Sequence, residues 1–246
     1  MDTIACWFSN GAASAVAAKK IVDFFSKTHN ILIVNNPIKE EDEDNLRFKR
    51  DVQEWIQHPI IEAVNKKYPS CSIVDVFNDR KYMSGIGGAP CTKILKKEAR
   101  YQFEIDHEID RHVLGFTFEE KSRSDRFMKF ERSNVIPILV DERITKFDCF
   151  DILHKANIKR PRIYDFGFPN ANCIGCVKAE SPTYWNLVRK IYPDVFNARC
   201  EQSRRIGCRL VKIKGEHRFL DELKSTDKGA PIKSWECGIF CDIERY

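Results

Sequence analysis

Apolar positions in this chain fall into short continuous runs separated by longer stretches in which they recur every three or four residues. The runs are Ile4–Phe8, Asn30–Val34 (NILIV), Arg111–Phe116 (RHVLGF) and Val135–Val140 (VIPILV), with Ser72–Phe77 (SIVDVF) alternating toward another. Continuous runs of this length suit strands buried on both faces, as in a parallel sheet. Helical patterns lie between them. Val16, Ile21, Val22, Phe24 and Phe25 follow the first run, and Leu46, Phe48, Val52, Trp55 and Ile56 follow the second. Pro59 predicts a further helix that opens at its first turn. Lys93–Tyr101 reads as a basic helix, and a charged helical stretch follows Phe116. Strands alternating with helices predict an α/β fold, a parallel sheet of about five strands wrapped by helices.

The pattern changes after residue 164. Asp165–Cys176 (DFGFPNANCIGC) is rich in turn residues, Pro182–Tyr192 is helical, and short strand-like pieces run from Cys200 to a closing WECGIFC. This divides the chain into an α/β domain, 1–164, and a cysteine-rich C-terminal extension, 165–246, expected to pack on it. The acidic run Lys39–Asn45 reads as a solvated loop and helix start.

A chain of 246 residues suits one α/β domain with additions or two small domains. No apolar run approaches the roughly 20 residues that span a bilayer. The N-terminus also lacks the basic and apolar regions of a secretory signal, which predicts a cytoplasmic protein without a membrane partner. A net charge of +5 is mild; it suits a small anionic ligand without requiring nucleic acid.

The first run ends in six small residues, Ser9, Asn10, Gly11, Ala12, Ala13 and Ser14, and a helix follows at once. A strand, a small-residue turn and a helix N-terminus form an anion site, because backbone N–H groups and the helix dipole both favour negative charge. Ser9 and Ser14 are candidates to add hydroxyl donors. The turn matches neither GxxxxGK[ST] nor GxGxxG.

Ten cysteines in a reducing compartment point to metal binding or thiol chemistry before disulfides. Cys6, Cys71 and Cys149 read as small core residues. Cys173 and Cys176 form a CxxC, whose two thiolates suit one edge of a metal or a redox dithiol. Cys91 follows the glycine-rich loop Met83–Pro90 at a helix start, where a thiolate is stabilised, and Cys237 and Cys241 form a second close group. Four such sulfurs suit an iron–sulfur cluster or zinc, and spacing alone does not choose between them.

Taken in order, four segments resemble the PAPS reductase family, in its divergent phage and bacterial form. They are the loop Ser9–Ser14, the segment Pro90-Cys91-Thr92-Lys93-Ile94-Leu95-Lys96, GFPNANCIGCVKA at Gly167–Ala179, and Glu236-Cys237-Gly238-Ile239. The loop resembles a degenerate SGGxDS, the pyrophosphate loop of the adenine nucleotide alpha-hydrolase and ATP pyrophosphatase superfamily, with Asn10 at its second position and Ala13 at its acidic one. The resemblance implies an adenine nucleotide, PAPS or ATP (with Mg if ATP), bound by Ser9–Ser14. It also implies a [4Fe–4S] cluster on Cys91, Cys173 and Cys176. The family's tandem cysteine is Thr92 here, and Cys241 is the candidate fourth ligand. Zinc is the alternative metal.

Two activities are implied. In the first, Cys237 attacks the sulfur of a bound adenylylated sulfate, and Lys93, Lys96 and Lys97 supply positive charge. Phe240 replaces the histidine of the family's ECG(L/I)H motif. In the second, the enzyme is an ATP pyrophosphatase-type thiolase that modifies a nucleic-acid base, which brings nucleic acid in as a partner. Ala13 and Phe240 also admit a third reading, a catalytically silent nucleotide-binding module. A thiol-bearing electron or sulfur donor protein is an expected partner of the enzyme, and a homodimer stays open. Glu119, Glu120, Arg123 and Arg126, with Asp44, Asn45 and Arg47, are weaker candidates for ribose or second-substrate contacts.

Overall fold

The computed structural model describes residues 1–232. In chain order the strands are β1 (Thr3–Phe8), β2 (Asn30–Asn35), β3 (Ile60–Glu62), β4 (Arg111–Val113), β5 (Val135–Ile136), β6 (Val211–Ile213) and β7 (Glu216–Arg218). The α-helices are α1 (Ala12–Phe25), α2 (Asp44–Ile56), α3 (Ile73–Arg80), α4 (Ala99–Asp106), α5 (Lys121–Phe130), α6 (Ile138–Asp141), α7 (Lys146–Lys155), α8 (Pro182–Ile191) and α9 (Pro193–Ile206). A π-helical segment, Thr92–Glu98, runs directly into α4. No helix among the described residues is long and apolar enough to cross a membrane.

Two compact units form. The first comprises Met1–Pro37, Glu43–Val64 and Arg100–Tyr164; the second comprises Ile38–Asp42, Asn65–Ala99 and the chain from Asp165. The first unit is an α/β layer built on a five-stranded sheet in the order β3-β2-β1-β4-β5, with every pairing parallel. Both faces of β1 are buried. Ile4, Cys6 and Phe8 join the core under α1, and Trp7 packs on the other face against Phe103. Alanines dominate the buried side of α1, with Ala12, Ala15, Ala17 and Ala18 all inaccessible. Short side chains there let the helix lie close to the sheet.

Three expected elements change. The run Ser72–Phe77 is not a strand: Ser72 caps α3, its hydroxyl accepting from the N–H groups of Val74 and Asp75. Ile73, Val76 and Phe77 are the buried face, a helical i, i+3, i+4 set. The missing strand is β3, which follows Pro59 where a helix is expected and pairs with the end of β2. Pro137 ends β5 after two residues, since proline has no N–H for the ladder, and α6 continues the run to Val140. The acidic stretch Lys39–Asn45 is also less solvated than its charge suggests. Asp42 and Asn45 are buried, and Asp42 accepts from the Tyr192 hydroxyl.

In the second unit α9 is tied to α3 by Gln202, whose side-chain N–H donates to the Val74 carbonyl oxygen at 3.2 Å, α8 packs on α9, and the π-helical segment buries Ile94 and Leu95. Ser181 caps α8 with Pro182 at its first position, and α9 begins at Pro193 and ends at Gly207 with φ 80°. Cys200 therefore lies in a helix, and the strand-like pieces of the tail are β6 and β7, an antiparallel hairpin turning at Lys214-Gly215.

Candidate functional site

The chain leaves β1 for β2 and β3 on one side and returns to β4 and β5 on the other, so the sheet reverses order between β1 and β4. Ligands of open α/β sheets bind outside the carboxyl ends of the strands at such a point. Ser9–Ser14 leaves β1 there, and Leu114-Gly115-Phe116 leaves β4. The two connections touch. A β-carbon on Gly115 would stand 2.8 Å from the Ser14 backbone nitrogen and 3.0 Å from the Ala13 carbonyl carbon. Only glycine permits that approach.

Asn10 takes a left-handed conformation, φ 57°, and turns the chain into α1. The Ser14 hydroxyl donates to the Gly11 carbonyl oxygen at 2.9 Å and accepts from the Ser9 N–H and the Ser9 hydroxyl, both at 3.1 Å. Both serine protons are thus engaged inside the turn, and the expected hydroxyl donors are instead its internal brace. Backbone N–H groups remain the donors of this site. The N-cap residue Gly11 has no side chain to cap α1 and no acidic residue occupies its first turn, so no carboxylate opposes an anion there. Tyr164 was not legible as a neighbour. Its hydroxyl accepts from the Ala12 N–H at 3.3 Å, and Lys146 Nζ lies 5.7 Å above its ring.

The weaker candidates of the first unit brace its frame. Arg47 pairs with Asp44 at 2.7 Å, and Asp44 also accepts from the Arg162 N–H. Glu120 completes a capping box with Thr117 and pairs with Arg123, while Glu119 accepts from the Lys146 N–H.

The thiols gather in the second unit. The Cys173 thiol hydrogen-bonds to Cys176 and is the main cause that draws the Cys176 pKa down to about 6, against the opposing effect of burial; the Lys178 N–H and the charges of Lys178 and Lys96 add to it. The hydrogen bond thus favours the thiolate form of Cys176 over its ordinary thiol. Its own N–H donates to the Tyr184 hydroxyl oxygen at 2.8 Å. Burial raises the Tyr184 pKa well above the ordinary tyrosine range, and the charges of Cys176 and Cys173 push the same way. Gly175 turns between the two sulfurs with φ 69°, and the Ile174 N–H donates to the Glu40 carbonyl oxygen at 2.8 Å.

Cys91 stands at the head of the π-helical segment. In an α-helix Lys96, five residues on, would point roughly 140° away from it; the wider π turn brings the two to within about 50°. Lys96 is also one of the two lysines whose charge lowers the Cys176 pKa. Lys93 instead is exposed.

Arg199 of α9 was missed by the sequence reading. It is 3% exposed, its Nη1 donates to the Gln202 side-chain oxygen, and its guanidinium lies 5.4 Å from the centre of the Phe77 ring. Burial lowers its pKa, opposed by the negative charges of Cys173, Glu40, Cys91 and Tyr184. Cys173 and Cys91 are thus the two thiols that act on this buried cation.

Cys6 and Cys149 are core residues, each with its pKa pushed up to about 12, chiefly by burial. Cys71 is not; it is half-buried on a turn with φ 53°. No disulfide joins any of the cysteines among the described residues. The expected ligand Cys241 and nucleophile Cys237 lie outside the described residues. Among the described residues, no three His, Cys, Asp or Glu side chains are grouped to hold a metal ion. The CxxC alone supplies a pair of soft sulfur donors, Cys173 and Cys176, joined by a hydrogen bond.

No family model and no curated protein matches the chain.

Proposed function

We propose that this protein is an adenine-nucleotide-dependent enzyme of sulfur chemistry, similar to PAPS reductase, with an adenine nucleotide alpha-hydrolase-like first unit. The carrying observation is the CxxC turn itself, where Cys173 hydrogen-bonds to the buried Cys176 and lowers its pKa while the Cys176 N–H is held by the Tyr184 hydroxyl. A buried thiolate held in this way is a ligand or reagent rather than a packing residue. The small-residue turn into α1, with no acidic residue in the helix's first turn, supports a nucleotide phosphate as the partner of the first unit.

Cys173 and Cys176 would supply two sulfur ligands of an iron–sulfur cluster, with zinc as the alternative, and the resemblance to the family adds Cys91 and Cys241 as the further ligands. Bound there, a cluster supplies a redox-active, electropositive centre. Cys237 is the proposed nucleophile. Its thiolate attacks the sulfonate sulfur of an adenylylated sulfate, the S–O bond to the nucleotide breaks, and the nucleotide leaves with the electron pair. A second thiolate then attacks the Cys237 sulfur, so that sulfite departs and a disulfide remains. Lys96 supports the thiolate state of Cys176, and Lys93 is placed for solvent-side electrostatics only.

The two thiols that act on Arg199, Cys173 and Cys91, suit one further reading, an ATP-dependent thiolase acting on a nucleic-acid base. Against it, the first turn of α1 offers no carboxylate for a Mg²⁺–pyrophosphate group.

Anaerobically purified protein incubated with PAPS and a dithiol reductant is expected to release sulfite, and Cys237→Ser to abolish it. Pyrophosphate release from ATP that depends on added RNA would replace the reductase with the thiolase. Nucleotide binding without either product would leave a silent binding module.

A further inference from the structure

The net charge of +5 is not spread evenly along the chain. Residues 204–218 hold six arginines and lysines against one acid, Glu216, so this segment carries an excess as large as that of the whole chain. It runs from the last turn of α9 through the hairpin β6–β7. Two of its cations are engaged with carboxylates. Arg204 pairs with Asp221 at 2.7 Å, and Arg218 pairs with Glu216. Glu222 lies 3.7 Å from Arg204 and 4.0 Å from Arg218. Arg205, Arg209, Lys212 and Lys214 are exposed and have no carboxylate partner among the described residues. The hairpin is only half used by the fold. In β6, Val211 is inaccessible and the Lys212 N–H donates to the Glu180 carbonyl oxygen at 2.8 Å. In β7, all three residues are exposed. A two-stranded hairpin is marginal on its own, so β6 supplies the fixed base. From it Lys212, its cross-strand neighbour His217 and the turn residue Lys214 face solvent.

We propose that the segment 204–218 is a docking surface for the phosphate backbone of a nucleic acid, with Arg209, Lys212 and Lys214 as its main contacts. These cations are strung along a ribbon rather than converging on one point, which matches a charge repeated along a polymer. Among the described residues of the segment, no large apolar side chain is exposed. A membrane surface or a protein partner would call for an apolar anchor there. Lysines not held by carboxylates can displace condensed counterions, which drives binding to nucleic acid and makes it salt-dependent. Binding at this surface would not depend on which reaction the thiols perform.

The test is a fluorescence-anisotropy titration of the full chain with labelled single-stranded RNA and, separately, single-stranded DNA, between about 50 and about 200 mM salt. Wild type is expected to bind at least one of them, with affinity falling as salt rises; the probe that binds identifies the nucleic acid. Each cation that meets a phosphate adds about 0.7 to the salt slope for a single strand. Lys212→Gln/Lys214→Gln is therefore expected to bind more weakly, with a slope lower by about 1.4. Arg209→Gln alone is expected to lower it by about 0.7. Lys27→Gln/Lys129→Gln removes the same charge from exposed positions of the first unit and is expected to keep the wild-type slope. Equal losses in the two double variants would make the binding a general effect of charge and overturn the inference. Absence of binding to either probe at about 50 mM salt, or an unchanged slope in the hairpin variant, would also overturn it. So would binding to phosphatidylserine vesicles that the hairpin variant loses while neither nucleic acid binds. Sulfite release from PAPS is expected to be unchanged in every variant, so the surface and the proposed reaction fail separately.

Discussion

The turn Ser9–Ser14 and the CxxC turn Cys173–Cys176 are both short, glycine-containing connections, but they present different chemistry. In the first, side-chain hydroxyls are spent on holding the loop, and peptide N–H groups are what is offered to an anion. In the second, the peptide is spent on Tyr184 and Glu40, and what remains on offer is the pair of side-chain thiols. A backbone site is robust to the identity of its residues provided they are small. A side-chain site fails when one sulfur or one cation is exchanged.

The largest expected effect breaks the first site through its backbone. Gly115→Val drives carbon into the peptide of Ala13 and Ser14, which cannot swing aside. Overpacking of this kind costs about 1–3 kcal/mol. Urea unfolding should register that loss, and a nucleotide titration should show binding abolished. Unchanged binding would mean that the two connections do not shape the site.

The next contrast lies within the first unit, where side chains act on stability. His112 is 1% exposed, its Nδ1 accepts from the Trp7 Nε1–H at 3.1 Å, and Arg132 Nη1 lies 2.7 Å from its Nε2. Burial, with the charges of Arg132 and Arg100, depresses its pKa from 6.5 to about 3. The unfolded chain then binds the proton that the folded chain refuses. Stability should fall as pH drops from about 6.5 toward 3, by up to about 1.4 kcal/mol per pH unit from this group. Denaturation curves across that range should slope less in His112→Gln.

The second site is sharpened by Cys173→Ala. Removing the S–H that stabilises the Cys176 thiolate leaves burial unopposed by its main counterweight, so the Cys176 pKa should rise from about 6. Alkylation of the metal-free protein, read by peptide mass spectrometry against pH, would show the midpoint move upward; an unmoved midpoint would place the stabilisation elsewhere. The smallest effect is expected at Ser14→Ala. It removes one turn-bracing hydroxyl and costs about 1 kcal/mol, while nucleotide affinity stays within a few-fold. A large loss of affinity would assign Ser14 to the ligand and erase the contrast between the two sites.

Much of the first unit was legible because its signals are local. The runs at Ile4–Phe8 and Asn30–Val34 are strands, and the small residues after Phe8 form the expected turn into α1. Where a segment satisfied two patterns, tertiary context decided. SIVDVF offers both an alternating and a helical face, and the Glu40 carboxylate at its start selects the helix. Ile60–Glu62 is too short to show a period and becomes a strand because β2 offers an edge. In the second unit the CxxC was visible, but Arg199 and Tyr184 were not. An arginine in a helix of alternating charge reads as solvated until neighbours close over it, and Tyr184 reads as a core aromatic until its hydroxyl meets the Cys176 N–H.

The segment Thr92–Glu98 carries a consequence for how this chain tolerates change in length. A π turn holds one residue more than an α turn. Deleting a single residue there would let the coil tighten without breaking it, and every later position would swing by about 100° around the axis. Lys96 would rotate off the cysteine side, while Ala99–Asp106 still formed a helix. Such a shortened chain could keep its fold and lose its chemistry, whereas lengthening the loop Met83–Pro90 by one residue would leave the rotational phase of the helix untouched.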